Sequence, residues 1–233
     1  MNYLAIDAST EACSVALVYQ GEIYSRYQFC PQSHSLMLLP MVDEVLQEAG
    51  VKLAQLDGLI YGRGPGSFTG VRIGIGVAQG LAFSADLQVV GISTLQTMAQ
   101  QAFDANGDTD VIASIDARMS ETYSGLFRVD ANNLMQPVKP EAVLAPSLVA
   151  EYISSSCERN VTGVGSAWLA YTAELNLAMA QVKVNSDIEF PNAIAMLALG
   201  DVEFAKGNAV NAEYAEPVYL RDTVSWKKLP GRE

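Results

Sequence analysis

The sequence predicts an α/β fold of two related lobes, each opening on a β-meander and each built on a mixed sheet. Three observations carry this reading. The first third of the chain runs strand, strand, strand and then alternates strands with helices, which is antiparallel pairing followed by a parallel portion under helical cover. A faint internal repeat sets Ile6-Asp7-Ala8 and Leu17 against Ile115-Asp116-Ala117 and Leu126 at one constant offset. Finally, 233 residues, half of them apolar and only 17% charged, suffice for two lobes sharing a sizeable core.

The elements follow in order. Residues 3–7 are an apolar run ending in a carboxylate; two further runs, 13–19 and 22–29, flank the turn pair Gln20-Gly21. Helical periodicity takes over at 36–49, where Pro40, lacking an N–H, marks either the start of the regular helix or a bend. A strand at 56–61 runs into Gly62-Arg63-Gly64-Pro65-Gly66-Ser67, then come a helix near 69–85, a strand at 88–92 and a helix near 94–103. The polar, turn-forming stretch from Asp104 to Asp110 divides the chain into an N-terminal lobe, 1–107, and a C-terminal lobe, 108–233. Beyond the repeated strands, helices are expected at 147–153, 167–177 and 192–205, the last capped by Asn192, with a strand near 160–164.

Composition narrows the function. Twenty-six acidic against 14 basic residues leave a net charge of −12, which repels nucleic acid phosphates unless a local basic patch compensates. The one basic group, Arg221, Lys227, Lys228 and Arg232, reads as a solvated chain end. No apolar stretch approaches the roughly 20 residues that span a bilayer, and the opening residues are no secretion signal, so a cytoplasmic, non-membrane protein is expected. Cys13, Cys30 and Cys157 have neither metal nor redox spacing, and their odd number argues against a disulfide framework. His34, the single histidine, cannot supply a two-histidine metal site, and no G-x-S-x-G elbow accompanies it. It reads as a helix-entry residue, and no metal site is expected.

Two meander lobes that each begin strand–Asp–turn resemble the actin-like ATPase (ASKHA) superfamily, in which the two aspartate turns face each other across a cleft holding nucleotide phosphates and Mg²⁺. Here Asp7, Ser9 and Thr10 stand in the first turn and Asp116 and Arg118 in the second, so these residues outline a vestigial nucleotide cleft. Both turns lack the glycine that lets backbone amides approach phosphate, and Glu11 adds a carboxylate. The segment Gly62 to Arg72 follows a strand and opens a helix, but it is neither a Walker loop nor G-x-G-x-x-G. It is either an anion-binding helix start or a tight corner capped by Ser67 or Thr69.

Two helices carry too much apolar and small surface for one domain. On 36–49, apolar residues including Leu38, Leu39, Val42, Val45 and Leu46 cover far more than the stripe of about 100° that one core contact needs. The helix near 69–85 carries Gly70, Gly74, Gly76 and Gly80, each costing up to ~1 kcal/mol relative to alanine, beside the stripe Ile73, Val77 and Leu81. Glycines one turn apart admit a second helix backbone closely. An intermolecular helix-on-helix contact through these residues is therefore expected.

Asp7-Ala8-Ser9-Thr10, Ser33-His34-Ser35 with Leu38-Leu39-Pro40, the run from Gly64 to Gly74, Asp116-Ala117-Arg118-Met119 and Pro217-Val218-Tyr219-Leu220-Arg221 closely resemble the TsaB (YeaZ) family over essentially the whole chain. The resemblance implies a non-catalytic, actin-like paralogue of TsaD that works with TsaD and the P-loop ATPase TsaE in making threonylcarbamoyladenosine beside the tRNA anticodon. It implies no cofactor of its own, with nucleotide and metal on the partner subunits. It further implies docking on TsaD through the two helices, a homodimer without that partner, and tRNA contact only through the complex. TsaD's metal comes from a two-histidine helix motif, which a chain with one histidine lacks. The alternative is a free-standing ATP-dependent phosphotransferase using Asp7 and Asp116; a peptidase lacks both a metal pair and a nucleophile elbow.

Overall fold

Tyr3–Asp7 (β1) is buried at all five positions, as a strand covered on both faces requires. It pairs antiparallel with β2 (Ala12–Tyr19), which pairs antiparallel with β3 (Glu22–Phe29). That hairpin turns on Gln20-Gly21, where both φ values are positive, 52° and 90°, the turn geometry that matches strand twist and favours glycine. On its other side β1 takes β4 (Gly58–Gly62) in parallel, and β4 takes β5 (Val89–Ile92) in parallel. In this computed structural model, which describes residues 1–154, 160–178 and 182–221, the first sheet is thus ordered β3-β2-β1-β4-β5.

The second sheet comprises β6 (Asp110–Arg118), β7 (Glu121–Val129), β8 (Met135–Pro137), β9 (Ala142–Leu144), β10 (Val161–Val164) and β11 (Val182–Val184). Its order is β11-β10-β6-β7-β8, with β9 also on β7. In both sheets the central strand, β1 or β6, has the next strand in sequence antiparallel on one side and a parallel strand on the other. The mixed, duplicated sheets are those of the actin-like fold. The last leg of the repeat fails: Asp7 faces Ser14 whereas Asp116 faces Thr122, a connection one residue shorter. Leu17 therefore pairs with Leu4, but Leu126 pairs with Ile112, and a one-residue slip moves a side chain to the opposite face of its sheet.

The helices are α1 (His34–Ala49), α2 (Phe68–Ala85), α3 (Thr94–Asn106), α4 (Val149–Ser154), α5 (Ala167–Ala170), α6 (Thr172–Ala178) and α7 (Ala193–Ala205). They alternate with the sheets in layers. α1 and α2 cover one face of the first sheet and α7 the other; α3 packs between α7 and the second sheet, whose far face carries α4, α5 and α6. α7 is apolar nearly all round because both its sides are covered, and a Cβ on Gly200 would come within 2.3 Å of Ile60. Residues 193–205 thus return to the first sheet, although they follow the second in sequence.

Two elements differ from expectation. α1 begins at His34 and runs through Pro40, because the carbonyl left without its N–H partner belongs to Leu36, 73% exposed and open to water. The helix expected at 167–177 breaks at Tyr171, whose φ and ψ of −125° and 37° are not helical, giving α5 and α6. Asn192 caps α7 as expected, its side chain accepting from Ile194 N–H at 3.0 Å. No helix among the described residues is long and apolar enough to cross a membrane.

Candidate functional site: facing turns and an exposed helix pair

β1 delivers Asp7 to the start of the first turn, where it is 1% exposed. Its carboxylate accepts from the Ser9 N–H at 2.9 Å and from the Ser9 hydroxyl at 2.9 and 3.1 Å; Thr94 in turn donates to Ser9 Oγ at 2.9 Å. Burial pushes the Asp7 carboxyl up to about 6, with the Ser9 hydrogen bonds and His34 pulling the other way. Both carboxylate oxygens are occupied by the turn's own groups.

The glycine-rich segment after β4 closes over this turn. The Ser67 N–H donates to Ser9 O at 2.7 Å, and a Cβ on Gly66 would lie 2.1 Å from that same carbonyl. A Cβ on Gly70 would lie 2.2 Å from Ala8 O. Ser67 caps α2 by accepting from the Gly70 N–H at 3.3 Å. Of the two readings, the corner is the one built: these glycines let the first turn's own backbone come close. The C-terminal motif lies on the same corner, with Val218 N–H donating to Arg63 O at 2.8 Å and Arg72 donating to the Tyr219 hydroxyl at 2.8 Å while stacked on Phe68.

Across the lobes, the second turn places Arg118 between carboxylates of both. Its guanidinium donates to Asp116 Oδ2 at 2.9 Å and to Glu11 Oε1 at 2.7 Å. Asp116 Oδ1 accepts from the Arg118 N–H and from the Tyr171 hydroxyl, each at 2.8 Å; burial first, and then this carboxylate, pushes Tyr171 up to about 12. Glu11, unfavourable beside an anion, is thus neutralised from within the chain. The facing turns do come together, and an internal cation joins them. Arg221 is no frayed end: it donates to the Ala117 carbonyl at 3.2 Å and to the Glu121 carboxylate. Lys227, Lys228 and Arg232 lie outside the described residues, as does Cys157.

The residues expected at the helix contact divide by burial. Leu38, Val42 and Val45 are core residues beneath α1, and Leu46, Val77 and Leu81 pack against that core half-buried. Gly70 and Gly74 are buried against Ala8, so their spacing serves the first turn rather than a second helix from outside. Leu39 is 49% exposed and Ile73 half-buried. The exposed positions are instead Leu36 and Leu39 on α1 and Gly76, Gly80 and Phe83 on α2; a Cβ at either of those glycines would meet nothing within 4 Å. The Gly76 and Gly80 pair is thus where the glycine spacing leaves room for a second helix, as expected of it, whereas Phe83 was not singled out, and a helical wheel aligned on the buried positions would have exposed it.

One grouping escaped the sequence entirely. Cys13, Cys30 and His34 are all buried, and their potential ligand atoms lie within 4.8 Å of one another.

A family model described as TsaD, tRNA N6-adenosine threonylcarbamoyltransferase, matches residues 28–228. The chain is 47% identical over 233 residues to the tRNA threonylcarbamoyladenosine biosynthesis protein TsaB of Escherichia coli (strain K12), with 100% of both chains covered. It is 45% identical over 242 residues to the protein of the same description from Haemophilus influenzae, covering 100% of this chain and 99% of that one. Among solved structures, YeaZ from Pseudomonas aeruginosa aligns with a TM-score of 0.87 at 42% identity, over 94% of this chain and 99% of that one. With full-length relatives at this identity and a solved relative sharing its fold, the chain belongs to the TsaB (YeaZ) family of tRNA threonylcarbamoyladenosine biosynthesis proteins.

Proposed function

We propose that this chain is a non-catalytic subunit of a tRNA threonylcarbamoyl transferase machinery, docking on TsaD through the exposed face of α1 and α2 and acting with TsaE. The observation that carries the reading is that face: Leu36, Leu39 and Phe83 stand open to solvent beside glycines that leave the α2 backbone bare. In the absence of TsaD the same face takes a second copy of the chain. The nucleotide and the metal that accompanies it in the reaction belong to the partner subunits, because Asp7 and Asp116 already satisfy their carboxylates with Ser9, Arg118 and Tyr171. The net charge of −12 leaves tRNA to be gripped by the assembly in the cytoplasm.

The test uses Leu39→Glu and Gly80→Arg, exposed positions that leave the core intact. Both are expected to abolish co-purification with TsaD and threonylcarbamoylation together, with circular dichroism unchanged. Normal modification by both variants would rule the surface out. Steady ATP turnover by the purified chain alone, lost in Asp116→Asn, would replace the scaffold with a phosphotransferase.

A further inference from the structure

We propose that Cys13, Cys30 and His34 form a binding site for a soft d¹⁰ cation, with Zn²⁺ the ion best suited to two thiolates and one imidazole. The three residues come from three elements. Cys13 lies in β2, Cys30 directly follows β3, and His34 is the first residue of α1. The β2–β3 register sets Cys13 opposite Gln28, which places Cys30 diagonally across from it on the same face of the hairpin. Their ligand atoms lie within 4.8 Å of one another. Tetrahedral zinc, with Zn–S about 2.3 Å and Zn–N about 2.0 Å, wants ligand atoms somewhat under 4 Å apart, so a modest contraction closes the site.

The surroundings hold the donors in place. The Cys30 N–H donates to Glu11 O, and its carbonyl accepts from the Ser33 N–H, both at 3.0 Å. His34 Nε2–H donates to the Thr10 carbonyl at 2.6 Å, which fixes the tautomer and leaves Nδ1 as the nitrogen with a lone pair to give. A backbone carbonyl on the far nitrogen is the outer contact that metal-bound histidines usually have. Charge also balances: two thiols each release a proton on binding, and two thiolates offset Zn²⁺, so the buried site ends neutral. The exposed Pro31 and Gln32 lie between Cys30 and His34, which keeps the site one loop away from water. A tetrahedral ion with three protein ligands has a fourth position for water.

The experiment uses the full chain carrying Cys157→Ser, made metal-free with EDTA under reducing conditions. It is titrated with Zn²⁺ against a chromophoric chelator, and in parallel with Co²⁺ to look for a thiolate-to-metal charge-transfer band. One equivalent of Zn²⁺ per chain is expected, with affinity falling tenfold or more in each of Cys13→Ser, Cys30→Ser and His34→Gln. Because Cys13 is fully buried and its variant can fail to fold, a second measurement needs no change at the site. Zn²⁺ should slow iodoacetamide labelling of both Cys13 and Cys30, read by mass spectrometry, relative to Mg²⁺. No stoichiometric uptake, uptake unchanged when Cys30 and His34 are replaced, or labelling rates indifferent to Zn²⁺ would each overturn the proposal. So would a Cys13–Cys30 disulfide in the isolated protein whose reduction yields thiols that take up no metal.

Discussion

Asp7 ends its strand with a buried carboxyl, and burial raises its folded-state value from 3.8 to about 6. A raised carboxyl favours folding only while protonated, so its contribution is complete below about 4 and lost as pH rises through 6. A shift of about two units corresponds to ~3 kcal/mol. Asp7→Asn cannot ionise, so its stability relative to the parent should move in its favour by up to that amount between pH 4 and pH 7, in urea melts with EDTA present. Equal pH dependence of the two proteins would show that Asp7 titrates normally. Arg118 is the opposite case. Its side chain is 70% exposed, so its ion pairs count for ~1 kcal/mol or less. Arg118→Ala should leave the melting temperature almost unchanged while amide exchange quickens in residues 8–11 and 117–120.

At the scale of elements, α2 holds glycines of two kinds. Gly66, just before it, and Gly70 have carbonyl oxygens 2.1 and 2.2 Å from where a Cβ would stand, whereas Gly76 and Gly80 face open space. Gly70→Ala should destabilise the chain by ~2 kcal/mol or more, because backbone must move. Gly76→Ala and Gly80→Ala should each stabilise the isolated chain by ~0.5–1 kcal/mol through helix propensity. If α2 meets a partner backbone, the same two changes should weaken association with TsaD, a stability gain bound to a loss of function. α1 divides likewise: Leu38→Ala, in the core, should cost ~2–5 kcal/mol, and Leu36→Ala, at the surface, ~0.5 kcal/mol or less. A charge at Val45 would unfold α1 rather than report on docking, since that side chain is fully buried.

At the scale of the molecule, two lobes are joined where helices α3 and α7 pack together and where Arg118 bridges the facing turns. The strand–Asp–turn openings, the meander and helices α1, α2 and α7 were all legible in the sequence, because alternation, helical period and caps are local properties. The surplus apolar surface on α1 and α2 was legible too. Its division into core and exposed face was not, since that depends on which side meets the first sheet, and Gly70 and Gly74 proved to serve Ala8. The face of Leu126 was lost to a single-residue difference in turn length, which no periodicity records. Cys13 is separated from Cys30 and His34 by a whole hairpin, yet the turn at Gln20-Gly21 sets the two cysteines diagonally across, and the entry to α1 brings the nearby histidine to them. By itself the sequence determined most of the elements, the paired strand–Asp–turn openings and the family, all of which depend on residues near one another or on motifs. Tertiary structure alone decided which apolar face stays open, what fills the space between the aspartate turns and which distant side chains meet, because those depend on how sheets and helices stack.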